Sequence, residues 1–213
     1  MTKGNFFHLH LHTEFSLLDG AIRIDELPAK LIELGQSGCA ITDHGRLHGY
    51  VRFYEAMKEA GLKPIIGCEM YVASTSMKER PPKEQEKASH IVLLAQNAQG
   101  FKNLCKLVSL SHLEGFHYVP RVDDALLEQH AEGLIALSGC MKGAVARSIV
   151  EHRYQEAEQT AAFYRDLFGK ENYFIELQLN GVEDQPRVNE ELVKIADRIG
   201  VGVVATNDCH YLN

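Results

Sequence analysis

Short apolar runs recur along the chain, separated by longer stretches in which apolar positions return every three or four residues. The runs at 6–11, 38–42, 63–67, 91–95, 134–138, 173–177 and 201–206 predict strands. The stretches at 24–34, 50–60, 97–111, 143–151, 154–168 and 183–199 predict amphipathic helices. Asp25 and Glu26 stand early in the first helix, where a carboxylate complements the helix dipole, and Gly61 closes the second. Strands that are continuously apolar rather than alternating belong to a parallel sheet covered by helices. About seven strand–helix units point to a barrel rather than an open sheet. Residues 74–89 interrupt the pattern with Lys, Glu, Gln and the Pro81-Pro82 pair, and read as a solvated loop. No internal repeat and no second domain is apparent, so the expectation is one α/β domain over residues 1–213. With no helix after the last strand, the expected origin is the N-terminal part of a longer protein.

Composition narrows the picture. The 213 residues are 45% hydrophobic and 24% charged, with 22 basic and 29 acidic side chains and a formal charge of −7. That balance argues against a broad basic face for nucleic acid, because Lys and Arg supply most of the affinity for phosphates. It leaves open contact with phosphates through a metal. The longest apolar runs, such as residues 133–137, are far shorter than the roughly 18 residues of a membrane span. Residues 1–5 carry no export signal, which predicts a cytoplasmic protein with no membrane partner. Five cysteines without a CxxC suit reduced thiols rather than a disulfide framework. Eleven histidines and no tryptophan make histidine the anomaly to explain.

The first cluster is His8-Leu9-His10-Leu11-His12. In a strand the three imidazoles share one face, opposite Phe7, Leu9 and Leu11, and His10 and His12 have Cα atoms about 6.5 Å apart. They can then converge on one metal or on two neighbouring ones. A polar sheet face that happens to be rich in histidine is the alternative. Asp19-Gly20 alone reads as a turn. Thr42-Asp43-His44-Gly45, Gly67-Cys68-Glu69, Ser138-Gly139-Cys140 and Asn207-Asp208-Cys209-His210 each follow an apolar run, at the strand ends where barrel active sites gather. His90 precedes its run and faces the wrong end of a strictly parallel barrel, unless residues 70–73 and 91–95 pair as a hairpin or the barrel is distorted. Arg121 can grip a phosphate with its fork and Lys142 can assist, although both are equally readable as surface charges. Asp43 either orients His44 or caps a helix. His48, His112, His117, His130 and His152 read as surface residues, and Cys39, Cys68 and Cys105 as core.

The combination HLHLHTEFSLLDGA, AITDHG, KPIIGCEMYVA, HIVLLAQN, YVPRVD, GLIALSGC and VVATNDCHYL, in this order over about residues 5–212, resembles the PHP (polymerase and histidinol phosphatase) family. Within it, the motifs are most similar to the N-terminal domains of bacterial replicative DNA polymerase III alpha subunits. The resemblance implies a distorted (β/α)7 barrel with a metal site at the C-terminal ends of the strands. Carried over motif by motif, it implies His10, His12, Asp19, His44, Glu69, His90, Cys140, Asp208 and His210 as ligands, and leaves His8 outside. It implies two to three ions of Zn, Mn or Fe, with Cys140 favouring zinc at one position unless it is a small buried hydrophobe. Glu69 and Asp208 are then the candidate bridging and catalytic carboxylates, with Arg121 as the phosphate contact. The implied activity is a metal-dependent phosphoesterase, a 3′–5′ proofreading exonuclease acting on a DNA 3′ end presented by the rest of the polymerase, alongside other polymerase domains and holoenzyme subunits. The alternatives are a metal-stabilised interaction module with little turnover and a stand-alone phosphatase of small metabolites.

Overall fold

In a computed structural model, which describes residues 6–212, the strands form one curled sheet that closes into a distorted barrel. The reading of residues 1–5 lies outside the described residues. The strands are β1 (Gly38–Ile41), β2 (Lys63–Val72), β3 (Ser89–Ala95), β4 (Arg121–Val122), β5 (Leu134–Leu137), β6 (Tyr173–Leu177) and β7 (Gly202–Ala205). Their spatial order is β1-β2-β3-β5-β6-β7, with β4 paired to β2. The helices are α1 (Leu27–Glu33), α2 (Tyr50–Glu59), α3 (Ala98–Leu113), α4 (Asp124–His130), α5 (Ala144–Val150), α6 (Tyr154–Phe168) and α7 (Gln185–Ile199).

The predicted first strand is replaced by an irregular segment, and that segment closes the ring. The amide of Ala40 donates to the carbonyl of His8 (2.7 Å) and that of Thr42 to Leu11 (2.9 Å). On the other side His12 donates to Cys209 (2.8 Å) and Cys209 to His10 (3.1 Å). A bend at Leu9 and His10 breaks the alternation. Leu9 packs on the barrel interior with Ala40, Val92, Leu94 and Leu137, while Leu11 lies outside, among Ile22, Cys39 and Ile41.

β3 runs antiparallel to both β2 and β5, whereas β1–β2, β2–β4, β5–β6 and β6–β7 are parallel. A parallel return needs a crossover, usually a helix. Residues 73–88 hold only the 3-10 turn Lys83–Gln85, and the chain comes back beside β2 in the opposite sense. His90, opposite Tyr71, therefore lies at the mouth. The 74–89 segment is more anchored than a solvated loop: Met77 is 4% exposed and belongs to the main core. Asp123 accepts from the Met77 amide (2.9 Å) and also caps α4 through the Leu126 amide (3.0 Å).

The helices pack outside the sheet by their apolar faces. In α7 the buried positions Val188, Leu192, Ile195, Ala196 and Ile199 fall on one stripe. Each buried Leu or Ile side chain contributes roughly 1.5–3 kcal/mol. β7 is largely exposed, with Val203 48% accessible, unlike the fully buried β1.

Candidate metal centre

Glu69 is the hub of the barrel mouth. It stands on β2, 1% exposed, and each carboxylate oxygen faces two imidazoles. Oε1 is 2.7 Å from His90 Nδ1 and 3.4 Å from His10 Nε2; Oε2 is 2.6 Å from His44 Nδ1 and 3.4 Å from His12 Nε2. Asp208 Oδ1 lies 3.3 Å from His10 Nε2 and 3.2 Å from His12 Nε2. Asp19 Oδ2 lies 3.2 Å from His44 Nε2 and 3.7 Å from His210 Nε2. Cys140 Sγ is 3.8 Å from both Glu69 Oε1 and His90 Nδ1. All nine residues carried over by motif thus occupy one mouth, drawn from the irregular first segment, the ends of five strands and the turn at 19–20.

Local backbone conformation makes the convergence possible. Asp208 sits at φ +49°, a left-handed conformation that Asp tolerates better than most residues. Gly139, at φ +83°, passes so close to β3 that a Cβ there would be 2.7 Å from the His90 carbonyl oxygen.

Hydrogen bonds fix which nitrogen three of the five histidines offer. Asp43, buried and acceptor-only as a carboxylate, accepts from the Thr13 amide (2.7 Å), the Thr13 hydroxyl (2.8 Å) and the Ser16 hydroxyl (2.8 Å). Ser16 has given its only proton to Asp43, so it accepts from His12 Nδ1 at 3.0 Å and leaves Nε2 bare. His10 Nδ1 likewise donates to Glu176 (2.7 Å), which also receives Gln178 (2.9 Å) and the Thr206 hydroxyl. His210 Nδ1 donates to the Asp208 carbonyl (2.8 Å). Three bare Nε2 atoms therefore face the mouth. Among the described residues, His10 Nε2, His12 Nε2, His44 Nδ1 and Asp208 Oδ1 are buried and, although crowded against one another and Glu69, make no hydrogen bond of acceptable geometry. Buried polar atoms normally find one, and a shared cation is what such atoms fit. Three overlapping triads, His10-His12-Asp208, His12-His44-His210 and His44-Glu69-His90, each bring their donor atoms within 4.8 Å of one another.

The electrostatics follow from burial and crowding. Burial opposes charge on Glu69, yet the His10 and His90 imidazoles hold its carboxyl well below the usual range. Burial also opposes the second proton on His10, but Glu176 and Glu69 outweigh it and raise its pKa well above the ordinary value; a cation held at Nε2 would take the place of that proton. Burial pushes the Cys140 thiol up to about 12, with Glu69 adding to the effect. That thiol ionises only next to a cation.

Several expectations need correction. Arg121 is no phosphate contact: it is 1% exposed and its fork is spent on Glu86 and on the carbonyls of Gly115, Met77 and Glu79. His8 does not share the face of His10 and His12, because the bend turns it towards Gln36 (3.2 Å) and Cys209 Sγ (3.2 Å). Asp43 acts on His12 through Ser16 rather than on the His44 ring. His112 and His117 are half-buried and bonded to the carbonyls of Gly45 (2.9 Å) and Pro81 (2.6 Å), and Cys105 is half-exposed on α3. Ser16 and Glu176 escaped sequence reasoning. A carboxylate inside the apolar run 173–177 was the available signal for Glu176.

A curled α/β barrel with a His, carboxylate and thiol cluster at its mouth defines a barrel of the metal-site class. The PHP domain family matches residues 8–180, and the chain belongs to that family. It is 44% identical over 212 residues to the DNA polymerase III subunit alpha of Borreliella burgdorferi, covering 99% of this chain and 18% of that protein. The corresponding subunit of Aquifex aeolicus is 44% identical over 215 residues, covering 98% and 18%. The chain thus spans about a fifth of the length of these relatives. Among solved structures, a protein of Bifidobacterium adolescentis assigned as a metal-dependent phosphoesterase superposes with a TM-score of 0.63 at 14% identity, covering 98% of this chain and 88% of that one. An amidohydrolase of Chromobacterium violaceum gives 0.60 at 14% identity, covering 96% and 87%. At that identity the likeness concerns the fold. No helix among the described residues is long and apolar enough to cross a membrane.

Proposed function

We propose that residues 1–213 form the metal-dependent phosphoesterase domain of a bacterial replicative DNA polymerase, acting as a 3′–5′ proofreading exonuclease on DNA delivered by the remainder of the polymerase. The observation that carries this reading is the convergence of His10, His12, Asp19, His44, Glu69, His90, Cys140, Asp208 and His210 with bare nitrogens turned inward. These residues would hold two to three ions of Zn, Mn or Fe. Such ions, when bound, supply a water acidic enough to attack at neutral pH and positive charge for the phosphate.

The chain's own residues arrange the rest. Glu69 turns one oxygen towards His10 and His90 and the other towards His12 and His44, so it would help to hold an ion beside either pair. Asp208, 18% exposed at its side chain, lies between the buried histidines and solvent, where it can orient a water or take its proton. Glu176 and Ser16 keep protons on the outer nitrogens of His10 and His12.

The formal charge of −7 favours a second reading, a metal-stabilised module that organises the polymerase with little turnover. Similarity to polymerase subunits over nearly the whole chain weighs against a stand-alone metabolite phosphatase. The discriminating experiment is release of the 3′ nucleotide from a mismatched primer by the complete natural chain, with and without chelator. Metal-dependent release abolished by Asp208→Asn supports the exonuclease. No release, with polymerisation impaired by the same substitution, supports the module.

A further inference from the structure

The loop between α3 and β4, residues 114–120, carries two half-exposed aromatic rings: Phe116 and Tyr118 are each 52% accessible. The loop is fastened to the metal centre at three points. His112, at the end of α3, bonds through Nε2 to the carbonyl of Gly45 (2.9 Å), the residue after His44. Pro120 lies over the same glycine, so closely that a Cβ on Gly45 would be 2.6 Å from Pro120 Cγ. Arg121 pairs with Tyr71, whose ring stacks on His44 (centroids 5.9 Å apart) and meets His90 edge-on (4.9 Å).

The loop is also held in shape. Arg121 Nε donates to the Gly115 carbonyl (3.2 Å), and the His117 amide donates to Val119 (3.0 Å). The His117 ring bonds to the Pro81 carbonyl (2.6 Å) and lies 4.3 Å from the Tyr118 ring. Tyr118 takes φ +60°, a left-handed conformation that bulky side chains rarely adopt. Such strain persists only where the surroundings impose it, and it clusters at functional sites. Here its result is to present a large ring to solvent, two residues before the Pro120 that packs on Gly45. The His112 ring stacks against Phe116 (6.3 Å, 29°), which extends the flat surface back towards Gly45. Arg46, next in sequence, adds a positive charge beside Tyr71.

Aromatic faces receive unpaired bases of any sequence, because every base has a π-face. We propose that Phe116 and Tyr118 form a stacking platform for the unpaired bases of a single DNA strand whose 3′ end lies in the metal centre. The inference rests on the reading of that centre as a DNA 3′-end hydrolase, and it adds the residues that hold the strand.

The test uses the complete natural chain and two substrates: a single-stranded oligonucleotide with 2-aminopurine next to its 3′ end, and β-glycerophosphate, which has no base. Tyr118→Asn suits the left-handed backbone and removes the ring, so folding is preserved; Phe116→Leu keeps bulk without a stacking face. Each raises KM for the oligonucleotide about 5- to 100-fold and abolishes the change in 2-aminopurine emission on binding. Tyr118→Trp retains both, and β-glycerophosphate turnover is unchanged throughout. Unaltered KM and emission in Tyr118→Asn and Phe116→Leu overturn the platform and assign the rings to a contact with another polypeptide segment. If the wild type cleaves β-glycerophosphate but no oligonucleotide, the exonuclease reading fails. The emission signal then still decides the platform, which stands only if the wild type shows it and Tyr118→Asn does not.

Discussion

Ser16 carries one hydroxyl proton, and its donation to Asp43 determines the tautomer of His12 two bonds away. Glu176 does the same for His10. Outer partners of this kind typically alter metal affinity 10- to 100-fold when removed. Ser16→Ala and Glu176→Gln are therefore expected to weaken metal binding by about that factor while the fold persists, as measured by competition with a chromogenic chelator. Arg121→Ala should behave oppositely. It leaves Glu86 and the carbonyls of Gly115, Met77 and Glu79 without their partner, a loss on the order of 3–5 kcal/mol when a buried pair is broken. The expected result is a large fall in Tm with metal affinity of the remaining folded fraction unchanged. Cys140→Ser should give a partial loss of metal, because oxygen replaces sulfur poorly at a soft site. Unchanged metal content there would mark Cys140 as a buried hydrophobe.

At the scale of elements, β3 decides whether the site is complete. Because it runs antiparallel to its neighbours, its first residues reach the same mouth as the last residues of the parallel strands. Gly139 permits the close approach of the following turn to β3, and Gly139→Ala both strains a backbone at φ +83° and drives a Cβ against the His90 carbonyl. The left-handed conformation alone costs a non-glycine residue about 1–2 kcal/mol. Lower Tm and displaced metal at the His90 position are expected together, by thermal melting and metal analysis of the variant. Most strands and helices were legible from apolar runs and periodicity, α6 to the residue. The two-residue β4 and the helix α4 were not, since the first is too short for an apolar run and the second carries its buried residues, Leu126 and Leu127, side by side rather than three or four apart. The first segment read as a strand because it alternates, but a bend at Leu9 and His10, invisible in residue type, separates His8 from the other two histidines. The cluster at the mouth was legible because its residues belong to short motifs. Their hydrogen-bond partners were not, because Ser16 and Glu176 become neighbours of the histidines only through the fold.

Across the whole molecule, one cluster of donors joins residues from position 10 to position 210, so a bound ion ties the two ends of the described chain together. Anything that binds only the folded state stabilises it in proportion to the logarithm of its concentration over Kd. Chelation is expected to lower Tm measurably, and restored metal to recover it. The formal charge of −7 makes strong, salt-resistant DNA binding by these residues alone unexpected. The most direct measurement is the metal content of protein purified without chelator, compared between the wild type and Glu69→Ala. The account predicts about two to three transition-metal ions per chain in the wild type and the loss of more than one in the variant, since Glu69 faces two pairs of histidines. Folded wild-type protein with a metal content near zero would contradict it.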